Sequence, residues 1–186
     1  MKKIFILGAS MLQVPAIQKA KEKGLYVYAL DYDPKAIGIA YADEFLCIST
    51  IDKDRVLQAA REYHPDYIIT STSDMPVRTV AWVNEQLGRK NDIAPADAVC
   101  ATDKAAMRRR MKESGVPIPA FHVIRSAQEL QKVAETMGKR FIIKPADNAA
   151  SRGVYLIDKK DQPDYEKIYD FTHQYSRSGE VLVEEF

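Results

Sequence analysis

The residues best placed to do chemistry lie in one stretch, Phe141-Ile142-Ile143-Lys144-Pro145-Ala146-Asp147-Asn148-Ala149-Ala150-Ser151-Arg152-Gly153-Val154. An apolar strand delivers a lysine at its end, a loop of small and polar residues follows, and an apolar strand returns. Small residues let backbone N–H groups approach a phosphate closely, and a lysine beside them supplies a point charge. A plain hairpin with an exposed lysine would look the same in isolation. No Gly-Lys-Ser/Thr opens a helix here, so the stretch is not a Walker A loop. Two further features share its spacing. Lys104 opens a helical segment after Thr102-Asp103, 40 positions before Lys144, and Glu184 stands 40 positions after it in Val181-Leu182-Val183-Glu184-Glu185-Phe186.

The elements that must position these groups fall into two sets. Over the first hundred residues, Ile4 to Leu7, Leu25 to Leu30, Phe45 to Ile48 and Tyr67 to Thr70 are short, nearly continuous apolar runs, as buried parallel strands are. Between them Val14, Ile17 and Ala20, then Val56, Leu57, Ala59 and Ala60, then Val77, Val80, Ala81 and Val83 recur at helical spacing, with Gly24 and Gly88 placed as helix stops. Alternating strands and helices with short connections predict a doubly wound parallel sheet whose function gathers at the strand C-termini. After Ile93-Ala94-Pro95 the pattern changes. Thr102-Asp103 is a cap signal for a helix from Lys104 to Glu113 that stops at Ser114-Gly115, and Pro117 and Pro119 then break the chain. A new α+β unit follows, with strands at 121–124, 140–144, 153–158 and 180–185 and helices at 127–137, capped by Ser126, and 164–174. The expected division is 1–95, a linker helix within 96–116, and 117–186. The last strand reaches Phe186 without a cap or turn, which predicts a truncated chain.

These signals in this order resemble the ATP-grasp superfamily, in particular its carbamoyl-phosphate-synthase-like and carboxylate-amine ligases, over the whole chain. The resemblance implies a parallel pre-ATP-grasp domain, a linker helix beginning with Asp-Lys, and the small α+β lobe of the ATP-grasp domain. It implies that Lys104 and Lys144 reach the nucleotide phosphates. Asp147, Asn148, Ser151, Arg152 and Gly153 would belong to a lid over the β and γ phosphates, mobile without nucleotide, although Ala149-Ala150 stand where such loops often have glycine or serine. Glu184, Glu185 and Phe186 match the hinge whose main chain reads the adenine edge. The activity implied is ligation through an acyl phosphate, with ATP and Mg²⁺ as cofactors and a small-molecule carboxylate plus an amine or similar nucleophile as substrates. The magnesium ligands of this family come after the hinge, so the resemblance implies no metal site in this chain and no turnover by the chain alone. No catalytic residue is assigned.

The first strand and turn, Ile4 to Ser10, with Asp31 ending the second strand, also invite a dinucleotide reading and an NAD-dependent Rossmann oxidoreductase. The G-x-G-x-x-G fingerprint, however, needs glycines where Ser10 and Gln13 stand. In the family such strand ends face the acceptor substrate, which makes Ser10, Ser71 and Asp74 substrate-side candidates; as turn and capping residues they would need no ligand. A nucleotide-binding module without catalysis remains a further alternative. His64, His122 and His173 lie far apart with no ligand spacing, and Arg108-Arg109-Arg110 is a basic run that could meet phosphate but is more often a solvated face.

Composition sets the outer bounds. Lys and Arg number 27 against 26 Asp and Glu, so a net charge of +1 gives no electrostatic case for nucleic acid or an anionic membrane. No run approaches the ~20 apolar residues of a membrane span. Cys47 and Cys100 have no zinc-site spacing and read as reduced cysteines of a cytoplasmic protein, in which a homodimer is allowed.

Overall fold

The structure is a computed structural model that describes residues 1–186. The chain divides into two compact units, Met1–Ala98 and Val99–Phe186.

In the first unit, runs of β-branched and aromatic residues form four strands: β1 (Lys3–Leu7), β2 (Tyr26–Asp31), β3 (Glu44–Cys47) and β4 (Tyr67–Thr70). They pair in parallel in the order β3-β2-β1-β4, with Ile4 opposite Val27 on one side and Tyr67 on the other. Strand side chains alternate between faces, so β1 serves two cores at once. Ile4 and Ile6 pack with Val27, Ala29 and the Ile17 and Ala20 of α1 (Val14–Glu22). Phe5 and Leu7 pack with Tyr28, Leu30 and Ile68 against Val56, Leu57 and Ala60 of α2 (Lys53–Tyr63) and Val83 of α3 (Met75–Gln86). Helices thus cover both faces, as the doubly wound pattern predicts, and the sheet changes winding direction between β1 and β4.

In the second unit, α5 (Lys104–Glu113) begins where expected because the Asp103 carboxylate accepts from the Ala106 N–H, 2.8 Å away. A separate helix that the sequence reading did not resolve, α4 (Pro95–Thr102), precedes it. Pro95 suits a first helical position, and the extended Asp103 (φ −127°, ψ 115°) divides the two helices. Strands β5 (Phe121–Ile124), β6 (Arg140–Pro145), β7 (Tyr155–Asp158) and β8 (Val181–Glu185) form a wholly antiparallel sheet in the order β5-β8-β6-β7. One face carries Phe141, Ile143, Val181 and Val183, which bury against Leu130 and Ala134 of α6 (Ala127–Thr136) and Ile168 and Tyr169 of α7 (Tyr165–His173). On the opposite face Leu182 meets Ala105 of α5 and Ala146. The fold class is therefore mixed α/β, a parallel sheet followed by an antiparallel one.

Candidate functional site

Antiparallel register decides which groups meet above that second face. Ile142 stands opposite Glu184 and Lys144 opposite Leu182, which makes Lys144 and Glu184 diagonal neighbours on one side of the sheet, within reach of long side chains. The Lys144 ammonium indeed donates to Glu184 Oε2. The other oxygen, Oε1, accepts from Arg108 Nε of α5. The side chains of Arg108, Glu184 and Lys144 are 19%, 6% and 18% exposed, so the cluster is largely withdrawn from water. Burial works to raise the Glu184 pKa, but the hydrogen bonds and charges of Arg108 and Lys144 outweigh it and hold the carboxyl below its ordinary value.

The start of α5 is tied to the loop between β6 and β7. The Lys104 N–H donates to Ala146 O at 2.8 Å, and its ammonium donates to the carbonyl oxygens of Pro145 and Asn148. Lys104 thus ties the base of the 146–154 loop, while Arg108 and Lys144, the latter at the end of the strand that leads into the loop, meet on Glu184. Within the loop, Asp147 is 4% exposed, and its carboxylate accepts from Ser176 Oγ (3.0 Å), the Arg177 N–H (2.9 Å) and the Ser178 N–H (2.9 Å). The side chain offered for phosphate contact therefore anchors the loop base to a neighbouring turn. Asn148 Oδ1 accepts from the Ala149 N–H at 2.9 Å and from Arg152 at 3.3 Å.

Ala150 and Ser151 adopt left-handed conformations (φ 59° and 55°), where a side chain costs about 1–2 kcal/mol and glycine is at ease. Both are exposed, and their N–H groups donate to no protein acceptor. Gly153 (φ 74°) must be glycine for a second reason, since a Cβ there would stand 2.7 Å from the Tyr175 ring. In β8, Glu184 lies between Phe121 and Ile142 in the ladder, and the Glu185 N–H donates to Ala120 O at 3.0 Å. Phe186 is 63% exposed, with the Arg140 guanidinium 4.5 Å from its ring centroid.

In the first unit, Ser10 and Ser71 come together through Gln13, a residue the sequence reading named only as a missing glycine. Gln13 is 3% exposed. Its Oε1 accepts from the Ser10 N–H (3.0 Å) and Ser10 Oγ (2.6 Å), while its Nε2 donates to Ser71 O (2.7 Å) and Thr72 Oγ1 (2.8 Å). It bridges the β1 and β4 ends, where a doubly wound sheet offers its crevice. Ser71 Oγ is buried without a hydrogen-bond partner. Asp74 precedes α3, is exposed, and its side chain makes no capping bond. The turn that invited a dinucleotide is closed: Gly8 N–H donates to Leu30 O, Ala9 N–H to Asp31 Oδ2 at 2.8 Å, and Ala9 O accepts from Gly38 N–H at 2.7 Å.

The sequence does not single out Arg108: the three-arginine run reads as one block, able to meet phosphate but more often a solvated face. Helical rotation separates them: Arg108 turns inward to Glu184 while Arg109 faces Glu180 at 3.6 Å. The available signal was its position four residues after Lys104, one turn along the same helix face.

Comparison with known proteins gives a likeness, over the whole chain, to the N-terminal portion of ATP-grasp superfamily ligases. It is 26% identical over 188 residues to the formate-dependent phosphoribosylglycinamide formyltransferase of Bacteroides thetaiotaomicron, a match covering 100% of this chain and 48% of that protein. Among solved structures it resembles N5-carboxyaminoimidazole synthetase from Staphylococcus aureus complexed with ADP (TM-score 0.77, 20% identity, 100% of this chain and 47% of that one). It also resembles N5-carboxyaminoimidazole ribonucleotide synthetase from Thermotoga maritima (TM-score 0.72, 24% identity, 100% and 46%). The chain thus spans about half the length of the relatives it matches. No family model matches it.

Proposed function

We propose that this chain forms the acceptor-side domain and the small nucleotide-binding lobe of an ATP-dependent ligase that joins a small-molecule carboxylate to an amine or similar nucleophile. The observation that carries the reading is the placing of Lys104 on the base of the 146–154 loop and of Lys144 on the strand that leads into it, with Glu184 as the carboxylate set between Lys144 and Arg108. Such a site favours a polyanion and disfavours a neutral ligand. The Ala150 and Ser151 amides add two donors that a phosphate oxygen could fill.

In the reaction, a substrate carboxylate oxygen attacks the γ-phosphorus of ATP, ADP departs, and the acyl phosphate then yields phosphate as the nucleophile attacks its carbonyl carbon. The residues of this chain bind and orient the phosphates and offset their charge. Ser151, Arg152 and Gly153 form the loop over them, with Asp147 and Asn148 fixing its base, and the Glu184 to Phe186 segment lies at the adenine end. Ser10, Ser71 and Asp74 stand at the acceptor side. No three His, Cys, Asp or Glu side chains cluster closely enough to hold a metal ion. Two unpaired cysteines fit a cytoplasmic location, and no helix is long and apolar enough to cross a membrane.

The test is calorimetric titration of the full-length protein with ATP and with NADH. ATP binding with no NADH binding is expected, together with ATP-dependent phosphate release when the correct carboxylate and amine are present. NADH binding without ATP binding would sink the reading.

A further inference from the structure

Arg108 follows Lys104 by four residues on α5, so the two cations occupy one face of the helix. Like charges at that spacing oppose each other and work against the helix. That face packs on β8, where the fully buried Ala105 and Leu182 meet, and Glu184 is the carboxylate that answers Arg108 there. Its other oxygen takes Lys144. The second carboxylate of the loop, Asp147, is spent on Ser176, Arg177 and Ser178. Arg108, Glu184 and Lys144 therefore make a partly buried row of two cations on one anion, with one positive charge in excess. Without Arg108, Glu184 would serve Lys144 alone and neutralise it.

We infer that Arg108 is a positioning residue for Lys144: by occupying one oxygen of Glu184 it stops that carboxylate from neutralising the phosphate lysine and leaves the row a net positive charge to present to a polyphosphate. This inference rests on the nucleotide reading of the site and adds to it a residue that need not touch the nucleotide.

Charge arithmetic supplies the test, made by titrating the full-length protein with ATP at several salt concentrations. Arg108→Gln makes the row neutral and is expected to weaken ATP binding about tenfold and flatten its salt dependence, the scale of one partly screened charge. Arg108→Lys keeps the charge and is expected to stay within about threefold of wild type. Glu184→Gln raises the excess to two charges and is expected to tighten binding and steepen its salt dependence. The double variant Arg108→Gln/Glu184→Gln restores one excess charge and is expected to recover most of the lost affinity. A merely structural role for Arg108 cannot produce that recovery, so a double variant as weak as Arg108→Gln overturns the inference. So does Arg108→Gln binding ATP as wild type does, or Glu184→Gln binding it more weakly; the last remains readable even if Arg108→Gln fails to fold. Unchanged ATP affinity in Lys144→Ala would instead overturn the nucleotide reading itself.

Discussion

The turn at residues 8–13 and the loop at residues 146–154 begin alike and end as opposites. Each follows a buried strand, β1 or β6, and each is built from small and polar residues close to a helix start. In the first, the N–H groups of Gly8, Ala9 and Ser10 all donate to protein acceptors, and Gln13 occupies the crevice between β1 and β4. In the second, the base is tied down by Asp147 and Lys104, while Ala150 and Ser151 are exposed in left-handed conformations with unspent amides. Lys104 ties the second and Lys144 leads into it, whereas the acidic Asp31 closes the first. Small residues after a strand therefore mark where a ligand could approach. Which polar groups the protein has already satisfied decides whether one does.

The largest effect expected from breaking this comparison lies in backbone geometry. Gly24 and Gly153 have nearly the same φ, 72° and 74°, but a Cβ meets nothing within 4 Å at Gly24 and the Tyr175 ring at 2.7 Å at Gly153. Gly24→Ala should cost only the left-handed strain, about 1–2 kcal/mol. Gly153→Ala adds overpacking of about 1–3 kcal/mol and should cost roughly 2–5 kcal/mol in all. Urea denaturation followed by circular dichroism gives both numbers, and equal costs would mean that the Gly153–Tyr175 contact is not a constraint. Next in size is Lys144→Ala in the full-length protein. Losing a charge-assisted phosphate contact should cost roughly 1.5–3 kcal/mol, or about 10- to 150-fold in ATP affinity by calorimetry.

Much of this architecture was legible from periodicity and caps. Tyr67–Thr70 and Phe121–Ile124 have the bounds that their apolar runs assign them, and Asp103 and Ser126 accept the N–H bonds expected of helix caps. The candidate site was legible where a residue's position follows from a strand or helix end, as for Lys104 at the start of α5 and Lys144 near the end of β6. It was illegible where the role depends on long-range pairing. Nothing in the sequence near Asp147 announces Ser176 to Ser178, and nothing near Arg108 announces Glu184, 76 positions away. Helix α4 escaped notice because eight residues carry too little periodic signal to stand apart from the helix that follows.

Acid should probe the same cation row without mutation. Because Arg108 and Lys144 hold the folded-state Glu184 pKa below its ordinary value of 4.5, this group contributes stability that is fully present above that value and is lost as pH falls through the lower folded one. Denaturation midpoints measured from pH 6 downward should fall less steeply in Glu184→Gln than in wild type below about pH 4.5. Parallel curves for the two proteins would mean that Glu184 is not held by its neighbours in solution.

The smallest expected effect is the sharpest test of the contrast between the two loops. Asp31 stands where a dinucleotide fold places the acid that holds a ribose, yet its carboxylate accepts from the Ala9 N–H at 2.8 Å and the Asp33 N–H at 3.1 Å, both within the protein. In Asp31→Asn the side-chain oxygen can still accept the Ala9 bond, so the turn should persist with a stability loss of about 1 kcal/mol or less, the difference between a charged and a neutral acceptor. ATP affinity in the full-length protein should stay within about twofold of wild type, since only a loss near 1.4 kcal/mol would change it tenfold. Titrating this variant and Lys144→Ala in parallel compares the two loops directly. If Asp31→Asn abolished nucleotide binding while Lys144→Ala left it intact, the closed turn would be the nucleotide site after all, and Lys104, Arg108 and Lys144 would be holding only Glu184 and the carbonyl groups of Pro145 and Asn148.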